Sequence, residues 1–217
     1  MRHRMQLVAL GYSVTVGVGF SGVDSTTCYI ELLRTRLTEC GLGVDLVPSA
    51  LEGIDTGYAA RRFNRMVTAF EPDLVTVMLG LNDMQPPGAR EAVAPEEYRR
   101  NLLGLVDRIL AIDARPVLAT PSPRWDLAPQ DPRSRLDPYV EVVEQVARHF
   151  QLGCVDVFSR FCQYQHRWPE LIPDGIHPGP TGHHLIADCF ARTLVPLLGG
   201  ELVVQEADAD VAGSTRE

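Results

Sequence analysis

Leu74-Val75-Thr76-Val77-Met78-Leu79 is the stretch whose reading decides the fold. Five of its six residues are apolar and three are β-branched, with no alternation of wet and dry positions. A strand with one solvated face would alternate, so this run predicts a strand covered on both sides, as in a parallel sheet. Working outward, Glu71-Pro72 closes a helical pattern over Thr56 to Phe70. On the other side Gly80-Leu81-Asn82-Asp83 and a Pro/Gly loop lead into Pro95 to Asp113, where Leu102, Leu105, Val106, Ile109 and Leu110 share one helical face.

The same alternation extends to both ends. Gln6 to Leu10 reads as a strand ended by Gly11, and Thr26 to Cys40 as a helix behind the caps Asp24 and Ser25. Val44 to Val47 is the second strand, Pro116 to Ala119 the fourth and Cys154 to Val157 the fifth, with helices over Pro138 to Phe150 and Thr181 to Leu198. Strands separated by helices cannot pair as hairpins, so the expected architecture is α/β, a three-layer α/β/α domain around a five-stranded parallel sheet. That single domain is expected over residues 1–200. Residues 201–217 hold five acids, one arginine and no aromatic residue, and are expected to form an acidic, flexible tail.

The chain has 217 residues, 45% of them apolar and 22% charged, a soluble globular composition with enough apolar material for a real core. All 20 basic residues are arginine. Schiff-base chemistry, a phosphate-loop lysine and Ser-x-x-Lys catalysis are therefore excluded. A net charge of −8 and the lack of a basic stretch argue against nucleic acid or stable membrane association. Arg61, Arg62 and Arg65 at helical spacing read as a solvated helix face. Cys28, Cys40, Cys154, Cys162 and Cys189 are odd in number and contain no Cys-x-x-Cys pair, which disfavours a disulfide framework or a zinc site. The apolar run from Met5 to Leu10 is shorter than a signal-peptide core, and no apolar run approaches 18 residues. A cytoplasmic protein is expected.

Ligands of open parallel sheets bind where strands end at their carboxyl side, so the residues just after each strand carry the chemistry. Ser13 follows the first strand, Gly53 the second, Asn82 the third, and Asp174 and His177 lie in the loop after the fifth. Together they supply the parts of an acyl-transfer site. A serine hydroxyl is a weak nucleophile and requires a base. Histidine, whose ordinary pKa lies near neutrality, can take that proton and return it to a leaving group. Asp174 could fix the imidazole of His177, and the Ser13 and Gly53 N–H groups with the Asn82 amide could hold an oxyanion. Neither a metal nor a cofactor is called for.

These blocks resemble the SGNH (GDSL-type) hydrolase superfamily. The resemblance rests on Leu10-Gly11-Tyr12-Ser13-Val14-Thr15-Val16-Gly17, on Gly53, on Gly80-Leu81-Asn82-Asp83 and on Asp174-Gly175-Ile176-His177-Pro178, and it covers about residues 5 to 198. Gly57 is an alternative to Gly53 for the second block. The resemblance implies a flavodoxin-like sheet, a catalytic set of Ser13, Asp174 and His177, an oxyanion hole of Ser13, Gly53 and Asn82, and hydrolysis of a small-molecule ester or thioester through an acyl-enzyme. Acyl transfer or thioester cleavage at the same site is the alternative it leaves open. One departure stands out: the family's Gly-Asp-Ser is Gly11-Tyr12-Ser13 here. Tyr12 is expected to alter the packing of the nucleophile loop or to line the pocket. Trp125 and Trp168, in the long loops Pro121 to Asp137 and Phe158 to Gly179, are further candidates for substrate contact or for loop anchoring.

Two other functions compete. Gly17-Val18-Gly19-Phe20-Ser21-Gly22 spells the dinucleotide-binding fingerprint, but it lies beyond the strand end and before the helix signal, and no acid ends the second strand. A non-catalytic binding protein on the same scaffold would be expected to have lost the serine, the histidine or the aspartate. His183 and His184 are read as facing solvent or loop, His166 as a surface residue, and Cys154 and Cys189 as packing groups.

Overall fold

The structure, a computed structural model, describes residues 4–84, 92–125 and 135–202. In chain order the elements are β1 (Met5–Gly11), α1 (Ser13–Val16), α2 (Tyr29–Glu39), β2 (Val44–Ala50), α3 (Thr56–Arg61), α4 (Phe63–Met66), β3 (Leu74–Met78), α5 (Pro95–Leu110), β4 (Arg115–Ala119), α6 (Asp137–Phe150), β5 (Gly153–Val155), α7 (Val157–Cys162), α8 (Trp168–Leu171) and α9 (Pro180–Leu197). The sheet is fully parallel in the order β2-β1-β3-β4-β5. All five residues of β3 are buried, as a largely apolar run between two helical layers requires. Helix α2 packs on α9, while α3, α5 and α6 form a second group. Right-handed crossovers put these groups on opposite faces.

The chain runs from β1 outward to β2 and then back across to β3, so the order reverses between β1 and β3. That reversal opens a crevice at the carboxyl ends of those two strands, and Ser13 and Asn82 lie in the segments that follow them.

Four expectations are corrected. The helix expected over Thr56 to Phe70 is divided into α3, α4 and a 3₁₀ turn at Thr68–Phe70. The Ala60 carbonyl, which an unbroken helix would offer to the Asn64 N–H, accepts from Arg108 Nη1 at 2.6 Å; the same guanidinium donates to Asn64 Oδ1 and lies 4.2 Å over the Phe63 ring. Helix α2 starts at Tyr29 rather than Thr26. Asp24 accepts from the N–H groups of Thr26 and Thr27 in a turn before the helix, and the Tyr29 N–H donates to Nδ1 of His183 at 3.0 Å. His183 is therefore a buried helix cap, 1% exposed, not a solvent-facing residue. The loop after β5 is largely helical, because Asp156 caps α7 by accepting from the Ser159 N–H. The acidic tail expectation concerns residues of which 203–217 lie outside the described ones, as do 126–134 of the loop after β4.

Candidate active site

The site is built first by the end of β1. Tyr12 is extended and Ser13 is the first residue of the single turn α1, whose N–H groups of Thr15 and Val16 donate back to the Tyr12 carbonyl. Turning this sharply presses Thr15 onto Gly11, where a Cβ would meet Thr15 Oγ1 at 2.0 Å, so only glycine fits. Ser13 is 6% exposed.

The segment before α9 supplies the other two groups. Asp174 Oδ1 accepts from the backbone N–H of Ile176 at 2.8 Å and of His177 at 2.6 Å, a turn that the Asp-Gly-Ile-His spacing makes by itself. Asp174 Oδ2 lies 2.7 Å from His177 Nδ1, and His177 Nε2 lies 3.1 Å from Ser13 Oγ. Partial burial pushes the Asp174 carboxyl up, but the backbone and imidazole hydrogen bonds from His177 and that from the Ile176 N–H outweigh it and hold the carboxyl below its usual range. Asp174 is thus an acceptor, which assigns the proton to Nδ1 and leaves Nε2 to accept from the serine hydroxyl. The three groups form one series across 164 residues of chain.

The loops after β2 and β3 are tied to each other. Asn82 Nδ2 donates to the Ile54 carbonyl at 3.0 Å, next to Gly53, whose φ of +70° falls in the left-handed region. One residue beyond Asn82 and two beyond Ile54, Asp83 Oδ1 accepts from the Thr56 N–H at 2.9 Å and from its hydroxyl. Asp83 is fully buried with Oδ2 unpartnered, and burial pushes its carboxyl up to about 6. An open cleft of about 760 Å³ is lined by Val16, Leu51, Gly53, Ile54, Tyr58 and Arg61, with Ser13, Asn82 and His177 outside its lining. Gly57, the alternative to Gly53, sits in the first turn of α3, outside the lining.

The other sequence candidates divide. Tyr12 is fully buried, with its phenol 3.2 Å from Ser122 Oγ, and burial raises its pKa to about 12. Trp168 is 3% exposed and donates its indole N–H to the Phe161 carbonyl. Of the two roles the sequence left open for each, substrate contact or packing, the burial of both rings favours packing. Trp125 donates its backbone N–H to Gly175 and its indole N–H to the Ile172 carbonyl, so it fastens the segment that carries Asp174. Two residues with roles at the site escaped sequence reasoning. His183 caps α2 from beneath the nucleophile loop, and burial holds its imidazole down to about 4. Phe20 stacks on His177 with ring centroids 4.3 Å apart.

A serine joined to a base at the switch point of a flavodoxin-like sheet is the arrangement of an α/β/α serine hydrolase. The chain belongs to the GDSL-like lipase/acylhydrolase family, whose model matches residues 9–185. It is 26% identical over 190 residues to an arylesterase of Vibrio mimicus, covering 88% of both chains. It is 29% identical over 184 residues to an acetylxylan esterase of Geobacillus stearothermophilus, covering 81% of this chain and 83% of the relative. Among solved structures it is similar to LAE5, an alpha/beta hydrolase enzyme from the metagenome of Lake Arreo in Spain, with 29% identity and a TM-score of 0.75 over 87% of this chain and 94% of the other. A catalytic mutant of an acetylxylan esterase from Geobacillus stearothermophilus matches at 25% identity and a TM-score of 0.78, covering 95% of this chain and all of that one.

Proposed function

We propose that the protein is an esterase that cleaves small-molecule carboxylic esters or thioesters through an acyl-enzyme on Ser13. Ser13 Oγ attacks the carbonyl carbon while His177 Nε2 takes the hydroxyl proton. Asp174 keeps the imidazole in the required tautomer and stabilises it once charged. The carbonyl oxygen, negative in the tetrahedral intermediate, is held by the N–H groups of Ser13 and Gly53 and by Asn82. The alkoxide or thiolate leaves with the proton from His177, and water activated by the same imidazole releases the acid. The observation that carries this reading is the hydrogen-bonded series Asp174–His177–Ser13. The cleft that Gly53 helps to line offers room for one half of the ester. Relatives named arylesterase and acetylxylan esterase support aryl esters and acetylated xylan as first substrates. A reducing, cytoplasmic location is part of the reading, supported by five cysteines with free thiols. No helix among the described residues is long and apolar enough to cross a membrane.

The test is a panel of p-nitrophenyl esters, acyl-thioesters and acetylated sugars, run beside labelling by a fluorophosphonate. Wild type should be labelled and active, and Ser13→Ala neither. Asn82→Ala should fold and lose roughly 10²–10³ in kcat, as removal of an oxyanion donor does elsewhere. Labelling and hydrolysis that persist in Ser13→Ala would overturn the proposal.

A further inference from the structure

The glycine-rich segment that spells a dinucleotide fingerprint is not explained by ester chemistry, and its place in the fold differs from that of a phosphate loop. It follows α1 rather than β1, and α2 begins only at Tyr29. Its backbone is unusual at four of its six positions: Gly17, Gly19, Ser21 and Gly22 have positive φ, at 69°, 94°, 46° and 79°. For Ser21 this is the left-handed region, which residues with a Cβ enter at some strain.

The segment is hydrogen-bonded as a chain that starts on the nucleophile. Gly17 N–H donates to the Ser13 carbonyl, Phe20 N–H to the Gly17 carbonyl, and Val23 N–H to the Phe20 carbonyl, while Gly19 N–H closes onto Val23. Val23 is 4% exposed and anchors the far end in the core. On its other flank the segment lies against the turn that follows His177, where a Cβ on Gly179 would meet the Ser21 carbonyl at 3.4 Å. The product of this folding is one contact: the Phe20 ring stacked on the His177 ring, 4.3 Å between centroids and 26° between planes.

That contact supplies what the hydrogen bonds of His177 cannot. The bonds at Nδ1 and Nε2 both lie in the ring plane, so they fix the imidazole along the Asp174–Ser13 line but resist tilting and out-of-plane displacement weakly. A flat ring against one face resists both, and it keeps water off that face. We propose that Phe20 is a positioning residue for His177, and that Gly17–Gly22 is the frame that holds its ring in place. The proposal rests on the reading of His177 as the catalytic base.

A stacked aromatic pair and a small loss of aim at the reacting atoms together lead to an expected fall in kcat of about tenfold for Phe20→Ala. KM should move by less than about twofold, and the fall should be the same for every ester in the panel, because the imidazole is common to all of them. Phe20→Tyr, which keeps the flat ring, should restore kcat; Phe20→Leu, which keeps the bulk without it, should fold like wild type and remain slow. A proton spectrum gives a direct readout: the ring current of Phe20 should shift the His177 ring protons upfield in wild type and in Phe20→Tyr, and not in Phe20→Leu. Gly19→Ala strains the frame in open space, and combined with Phe20→Ala it should be no slower than Phe20→Ala alone. Full kcat in Phe20→Leu, or a loss that grows with the size of the substrate, would overturn the proposal while Ser13-dependent hydrolysis stood. Ester cleavage that survives Ser13→Ala would instead remove the reading beneath it.

Discussion

At position 12 the family pattern has an acid and this chain has a tyrosine, and its surroundings show what the tyrosine does here. The Tyr12 side chain is fully buried and reaches Ser122, just beyond β4, so it ties the turn before the nucleophile to the next-but-one strand end. Tyr12→Phe removes one buried hydrogen bond and leaves the ring in place; it should lower stability by about 1 kcal/mol and leave turnover near wild type. Tyr12→Asp empties the ring's volume and buries a carboxyl in its place, which should lower stability by roughly 4 kcal/mol. Urea unfolding of the two variants measures both values, and equal midpoints for Tyr12→Asp and wild type would show that the site tolerates the family's residue. At this scale the sequence was legible where a role is written in local spacing. Asp174 and His177 are three residues apart, and the turn between them is made by the aspartate itself. Phe20 and His183 were illegible because each acts on a residue more than 150 positions away, through contacts that only tertiary folding creates.

Among elements, the strands were legible within a few residues, since the central strands of a parallel sheet are covered on both faces and read as mostly apolar runs. The interruptions of helices were not. Arg108 breaks α3 from α4 by taking a carbonyl out of the helical ladder, and no periodicity in residues 56–70 records that. The same limit applies to the segment between β5 and α9. Its aspartate turn is local, but its seat on the molecule is set from the loop after β4, where Trp125 holds Gly175 through its backbone and Ile172 through its indole. Trp125→Phe deletes the second tie and keeps an aromatic ring in a half-buried site. We expect it to fold, to lose about 1 kcal/mol of stability from the missing hydrogen bond, and to lose severalfold in kcat as Asp174 and His177 gain freedom. Steady-state kinetics on one ester, set beside a thermal melt, decide it. A variant destabilised by that amount yet catalytically unchanged would show that the indole braces the fold without aiming the base.

For the molecule as a whole, two buried ionisable groups, one in the loop after β3 and one in α9, make stability depend on pH with opposite signs. Asp83 titrates near 6 in the folded chain, against 3.8 when exposed, because burial disfavours its charge. The folded state then holds the proton more tightly, so the stability this group contributes is present below about pH 4 and lost as pH rises through 6. His183 titrates near 4, against 6.5 when exposed, also through burial. Here the folded state resists the proton, so its contribution is present above pH 6.5 and lost as pH falls through 4. Each shift corresponds to roughly 3 kcal/mol at most, and the two nearly cancel across the interval they share. Asp83 and His183 share no contact, so their variants should behave additively. Asp83→Asn retains an acceptor for the Thr56 N–H and hydroxyl, and should expose the histidine alone: a gain over wild type near pH 7 that disappears toward pH 4. His183→Gln retains an acceptor for the Tyr29 N–H and should show the converse, gaining on wild type as the solution is acidified. Urea midpoints at pH 4, 5, 6 and 7 for the three proteins give the answer directly. Curves that run parallel for wild type and both variants would mean that neither group titrates differently in the folded chain, and that the polar links at Thr56 and Tyr29 are sustained without any protonic strain.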